Sequence, residues 1–333
     1  MNTLLNFQSF VGNRRVVEIL RRAVEQERLP HALIFAGPPG VGKRTLAELL
    51  AQRLNCLQPK NQEACCVCVS CRKIMGGNHP DVRLVKPDGA YIKVEQVREM
   101  IGEIAYQPFE GRYRVVILDG ADQMRQAGAN CLLKTLEEPP SRSILILVTG
   151  KPYLLLGTIR SRARMLQLGP LAADIIESYL VNHEGRSLED ARLAAALSNG
   201  SLGAALACDA ERHREIRRTA LSFISLLLRK GTFAQASTLA AGITKEKETF
   251  QVWVELAQTL LQDVYYAKMA PKRMSQPDVA GELAALAQST SHAAVVSAIE
   301  AIKQLKAALE QNVNRQVALE ALFLAETARI APR

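Results

Sequence analysis

Long hydrophobic runs are missing from this 333-residue chain: no stretch of 18 or more apolar residues occurs, and the N-terminus shows no basic, apolar and small-residue succession of a secretory signal. No membrane span is expected, and a cytoplasmic location is. Aromatic residues are scarce as well, 5% of the chain with a single Trp, so the 48% hydrophobic content must pack mainly through aliphatic side chains. The length allows two or three domains, each with its own core. Acidic residues are in deficit, 33 against 42 Lys and Arg, which leaves a formal charge of +9. That excess suits nucleic acid, an acidic partner or an anionic surface, yet spread over a solvated exterior it identifies none of them. Seven cysteines in a reducing compartment do not suggest a disulfide framework, and five of them fall between positions 56 and 71. Crowding of that kind points to a metal.

One further absence is local. Gly37-Pro38-Pro39-Gly40-Val41-Gly42-Lys43 has the glycines and the lysine of a phosphate-binding loop, but Arg44 stands where a Ser or Thr hydroxyl would hold Mg²⁺. The apolar run His31 to Phe35 before it is written as a buried strand, and Thr45 to Leu57 after it as a helix whose N-terminus favours an anion. Thr45 cannot simply replace the missing hydroxyl, because the next residue on a helix points about 100° away. The loop can cradle phosphate but is poorly equipped to cut it.

Up to about Leu168, short apolar strands alternate with amphipathic helices, the pattern of a parallel α/β sheet. Expected strands are Leu33 to Ala36, Val82 to Val85, Arg114 to Leu118, Ile144 to Val148 and Met165 to Leu168. Val94, Val97, Ile101 and Ile104 recur at helical spacing, and a second helix, Gln126 to Glu138, is stopped by Pro139-Pro140. After Gly169-Pro170 only helices are expected, with breaks near Asn182 to Gly185 and Ser198 to Ser201. The fold class is therefore α/β followed by all-α. Expected domains are 1–168, a nucleotide fold with a cysteine module at 56–71; 169–210, a small helical lid; and 211–333, a helical domain whose apolar stripes serve packing within it or against partners.

Cys56, Cys65, Cys68 and Cys71 form a C-x8-C-x2-C-x2-C array able to place four thiolates around a tetrahedral, structural Zn²⁺. Cys66 leaves the register open between itself and Cys65, and His79 is an outside candidate beside a Pro80-Asp81 turn. The strand Val115 to Leu118 ends in Asp119, the place of a Walker B acid, but the residues that follow are Gly120-Ala121-Asp122. Glu137 and Glu138 do not read as an acid/base pair, since neighbouring side chains diverge at a helix end.

The phosphate loop, the cysteine knuckle after the loop helix, Leu132-Leu133-Lys134-Thr135-Leu136-Glu137-Glu138-Pro139-Pro140 and Ser161-Arg162-Ala163 together resemble the bacterial clamp-loader family, a branch of the AAA+ class. The resemblance spans roughly residues 6 to 207, and the C-terminal helices are similar to that family's oligomerisation collar as a pattern. It implies an AAA+ P-loop domain with a zinc knuckle, a helical lid and a collar. It also implies a nucleotide site at Val11, Gly12, Gly37, Gly40, Gly42, Lys43, Thr45, Asp119 and Thr149, with Thr149 as sensor 1 and Val11-Gly12 at the adenine.

Departures from the family pattern point one way. Arg44 replaces the Mg²⁺ hydroxyl, Gly120 the hydrolytic glutamate, and Gly203 the lid arginine of motor subunits; a glycine brings no charge to a γ-phosphate. The resemblance therefore implies a member able to hold ATP or ADP without turnover. Arg162 matches the arginine that reaches across a subunit interface to a neighbour's ATP, though position 163 is Ala where the family has Cys. The partners implied are gamma/tau and delta type subunits, with the sliding clamp and primed DNA reached through the complex. Two alternatives stay open: a competent gamma-like motor that uses Asp119 or Asp122, and a stand-alone nucleic-acid-binding AAA+ protein.

Overall fold

The computed structural model describes residues 6–229, 231–270, 279–309 and 313–330, with the side chain of Ile330 outside that description. The chain divides into two compact units, Met1–Cys208 and Asp209–Arg333.

The first unit is organised by five parallel strands, β1 (Ala32–Ala36), β2 (Val82–Val85), β3 (Arg114–Asp119), β4 (Ser143–Thr149) and β5 (Arg164–Gln167), in the order β2-β3-β4-β1-β5. All five expected strands are present. β1 and β4 are buried along their whole length, as central strands covered on both faces must be. Alternation then sends successive side chains to opposite layers. Leu33, Phe35, Val115, Ile117, Ile144 and Ile146 pack against Val16, Val17 and Leu20 of α1 (Arg14–Glu25) and Leu46 and Leu50 of α2 (Lys43–Asn55). Ala32, Ile34, Val116, Leu118, Leu145 and Leu147 face Val97, Met100 and Ile104 of α4 (Val94–Ile104) and Leu132 and Leu136 of α5 (Gln126–Glu137). Between α2 and β2 lies α3 (Val69–Met75), and α6 (Gly157–Arg160) drives Ile159 into the layer under α5. Each fully buried Leu, Ile or Phe contributes about 1.5–3 kcal/mol.

The expected breaks after Gly169 fall where α7 (Ala173–Glu184), α8 (Leu188–Leu197) and α9 (Leu202–Ala207) are separated. Gly185 ends α7 in a left-handed conformation, and the Ser187 and Ser201 hydroxyls cap α8 and α9 by accepting from Asp190 and Ala204 backbone N–H groups. Their small core is Ile176, Leu180, Ala191, Ala194 and Ala205.

The second unit is helical: α10 (Ala210–Leu228), α11 (Phe233–Ile243), α12 (Lys247–Met269), α13 (Ala280–Ser289), α14 (His292–Leu309) and α15 (Arg315–Ile330). Four aromatics, Phe223, Phe250, Trp253 and Phe323, are buried at its centre. Phe223 meets Trp253 edge-on at 5.3 Å between ring centroids, and Phe250 stacks on Trp253 at 5.9 Å. Among the described residues no helix is long and apolar enough to cross a membrane.

Candidate functional site

The phosphate loop leaves the C-terminal end of β1 and enters α2, at the carboxyl ends of the strands where open parallel sheets bind ligands. Gly40 has φ +73°, a left-handed conformation that glycine adopts without strain. A cleft of about 710 Å³ opens there, lined by Val11, Gly40, Gly42, Lys43, Thr45, Asp119 and Thr149 from the expected set. Gly12 lies beside it against Leu171, and Gly37 contributes its carbonyl to Lys43. Phe10, Leu171, Tyr179, Leu202 and Leu206 add an apolar wall.

Lys43 is nearly buried and turned back on its own loop, donating to the Gly37 carbonyl at 2.7 Å and the Pro38 carbonyl at 2.6 Å. Burial pulls its ammonium below the usual lysine range, partly offset by Asp119 and Asp122. Arg44 pairs with Glu48 one turn along α2 at 2.8 Å, so the residue in the Mg²⁺ position is a cation committed to a carboxylate. The Thr149 hydroxyl donates to Asp122 Oδ1 at 2.6 Å, and the Gly150 N–H donates to the same oxygen at 3.2 Å.

The lid rests on the loop. Gly203 N–H donates to the Gly40 carbonyl at 3.0 Å, and a Cβ on Gly203 would stand 3.2 Å from Gly40 Cα. A Cβ on Gly40 would stand 2.1 Å from the Ser201 hydroxyl oxygen. Glycine at 203 lets the two backbones approach, and glycine at 40 leaves room for the Ser201 hydroxyl.

Arg162 lies outside this cleft. Ile159 anchors α6 under α5, and the turn after it sets Arg162 beside the end of α5, where its Nη2 meets Glu137 Oε1 at 2.7 Å. Its Nη1 donates to the Thr158 carbonyl at 3.1 Å and the Ser161 hydroxyl at 3.3 Å. Sequence reasoning passed over Glu137 as a partner, because only the packing of α6 on α5 brings the two together.

The Sγ atoms of Cys56, Cys65, Cys68 and Cys71 lie within 4.8 Å of one another, close to the roughly 3.8 Å edge of a tetrahedron with 2.3 Å Zn–S bonds. This four-cysteine cluster is able to hold a metal ion and suits a structural zinc. Burial works against ionisation of Cys68, but N–H donors of Cys71 and Leu57 and the neighbouring thiols outweigh it and bring the thiol down to about 6. Burial pushes Cys56 and Cys71 up, a cost that a bound cation removes by binding thiolate. Cys66 turns away through a left-handed residue, φ +60°, and donates to the Ala64 carbonyl. His79 is spent elsewhere: its Nδ1 accepts from the Asp81 N–H at 3.1 Å, which leaves Nε2 as the donor to Ser70 Oγ at 3.1 Å. The module also holds the segment at Phe7, since Glu63 accepts from the Phe7 N–H at 3.0 Å and pairs with Arg21 at 2.5 Å.

A phosphate loop with a turned-in lysine, a docked lid and a four-cysteine knuckle define a P-loop AAA+ subunit. The family description "DNA polymerase III, delta subunit" matches residues 12–172, and "DNA polymerase III, delta subunit, C terminal" matches residues 213–327. The delta' subunit of Bacillus subtilis (strain 168) is 32% identical over 93% of this chain and 94% of that protein. The delta' subunit of Pseudomonas aeruginosa is 36% identical over 60% of this chain and 62% of that protein. The tau subunit of Escherichia coli (strain K12) is 36% identical, but over 60% of this chain and 32% of tau. The chain therefore belongs to the family of DNA polymerase III delta' subunits, and its role is delta'-like rather than gamma/tau-like.

Proposed function

We propose that this chain is the stator of a DNA polymerase III clamp loader. It stands in a ring beside gamma/tau and delta type subunits and lends Arg162 to the ATP site of a neighbouring motor. The ring opens the sliding clamp and places it on primed DNA in the cytoplasm, with residues 169–210 as a lid that stays docked and 211–333 as the collar. The observation that carries this reading is the position of Arg162: its guanidinium is outside its own cleft and 36% exposed just after α6, where a neighbouring molecule can reach it. In phosphoryl transfer such an arginine stabilises charge on the transferring phosphate and is worth about 10³ to 10⁵ in rate.

The chain's own cleft fits holding better than cutting. Glycine N–H groups and Lys43 can bind ATP or ADP and stabilise the fold by mass action, while Arg44 and Gly120 supply neither the Mg²⁺ hydroxyl nor a water-activating carboxylate. Zinc, when bound, supplies a cross-link among Cys56, Cys65, Cys68 and Cys71 and no open position for chemistry.

The test is ATP hydrolysis by the assembled complex carrying Arg162→Ala. Turnover falls by at least about 100-fold at the site it serves if the arginine acts in trans, while assembly measured by gel filtration is unchanged. Wild-type turnover in that complex refutes the role.

A further inference from the structure

Glu137 occupies a position that helix physics disfavours. It is the last residue of α5, where unpaired carbonyls make the helix end partially negative and a cation is the stabilising choice. The helix end does not depend on it: the Glu138 N–H bonds back to the Lys134 carbonyl, and His31 Nε2 sits 3.1 Å from the Leu136 carbonyl. The carboxylate is 52% exposed and makes its ion pair with Arg162 Nη2.

We propose that Glu137 is the positioning residue for Arg162, an inference that rests on the trans-acting role of that arginine. A free arginine side chain samples many rotamers, and each must be given up when the guanidinium meets a phosphate. Here three contacts hold it beforehand: Glu137 on Nη2, the Thr158 carbonyl and the Ser161 hydroxyl on Nη1. Thr158 and Ser161 lie just before the arginine in sequence and move with it. Glu137 comes from another helix, fixed by the Leu132, Leu136 and Ile159 core, and so ties the guanidinium to the body of the domain. Preorganisation of this kind lowers the cost of reaching the transition state without changing how nucleotide binds. Because the pair is exposed, its effect is modest.

The experiment is steady-state ATP hydrolysis across ATP concentrations by the complex reconstituted with wild-type partner subunits. The variants are Glu137→Gln, Glu137→Asp, Arg162→Ala and the Glu137→Gln/Arg162→Ala pair. Glu137→Gln is expected to lower kcat about two- to fivefold, with KM for ATP changed less than about twofold and Tm unaltered. Glu137→Asp recovers part of the loss, and adding Glu137→Gln to Arg162→Ala costs nothing more. A Glu137→Gln complex with wild-type or raised kcat overturns the inference, as does an equal loss in the Arg162→Ala background. If Arg162→Ala is itself silent, the trans-acting reading fails and this inference falls with it. A slow Arg162→Ala beside an unaffected Glu137→Gln removes the positioning role alone.

Discussion

Gly203 donates its backbone N–H to the Gly40 carbonyl at 3.0 Å, so that the first turn of α9 is hydrogen-bonded to the phosphate loop of the same chain. A larger residue at 203 must push against Gly40 Cα at 3.2 Å. Glycine at 203 permits this contact and brings no charge to the cleft.

Gly40→Ala should loosen the lid. The left-handed φ costs about 1–2 kcal/mol for a residue with a Cβ, and the new methyl meets the Ser201 hydroxyl oxygen at 2.1 Å. Hydrogen exchange of the α9 amides is expected to accelerate, with Tm lower by a few degrees. Gly102→Ala, with open space around its Cβ site, is the control and leaves α9 exchange unchanged. Lid amides as protected in Gly40→Ala as in wild type would show that the contact does not hold the lid.

Metal analysis of protein purified without chelator should give about one zinc per chain. Cys65→Ala is expected to lose the metal and Cys66→Ala to keep it, since Cys66 Sγ is directed to the Ala64 carbonyl. Chelation should also free the segment at Phe7, whose N–H bonds to Glu63 within the module. Retention of zinc by Cys65→Ala would place the ligand register elsewhere.

Asp81 gives a pH signature. It is buried, and burial alone pushes a carboxyl up. The Phe109, Glu110 and Gly111 N–H groups and Arg114 outweigh that and hold it below the usual carboxylate range. Its folded pKa is thus depressed, so its contribution to stability is complete above the unfolded value of about 3.9 and disappears as pH falls through the lower folded value. Asp81→Asn is expected to cost about 3 kcal/mol in urea unfolding at pH 7. The gap to wild type should shrink below about pH 4. A gap that stays constant down to acid unfolding would contradict this assignment.

What could be read in the sequence is what is local. The glycines and Lys43 lie within seven residues, the four knuckle cysteines within 16, and each strand is a short apolar run, so the α/β fold, the loop and the knuckle can be read from the sequence. The hydroxyl of Thr149 was expected at the strand end, but its partner Asp122 was not. Relationships across the fold were hidden. Gly203 and Gly40 are far apart in the chain, Glu137 meets Arg162 only because Ile159 packs under α5, and Asp81 reads as a turn residue until the 109–111 backbone folds over it. Periodicity reports which face of an element is buried, not which two elements will share a hydrogen bond.

Steady-state hydrolysis by the purified chain at saturating Mg-ATP, beside a Lys43→Ala control, tests the stator most directly. The account predicts no turnover above that control, because the Mg²⁺ position holds Arg44 paired with Glu48 and no glutamate follows Asp119. Turnover that Lys43→Ala abolishes would make this chain a motor and contradict the account.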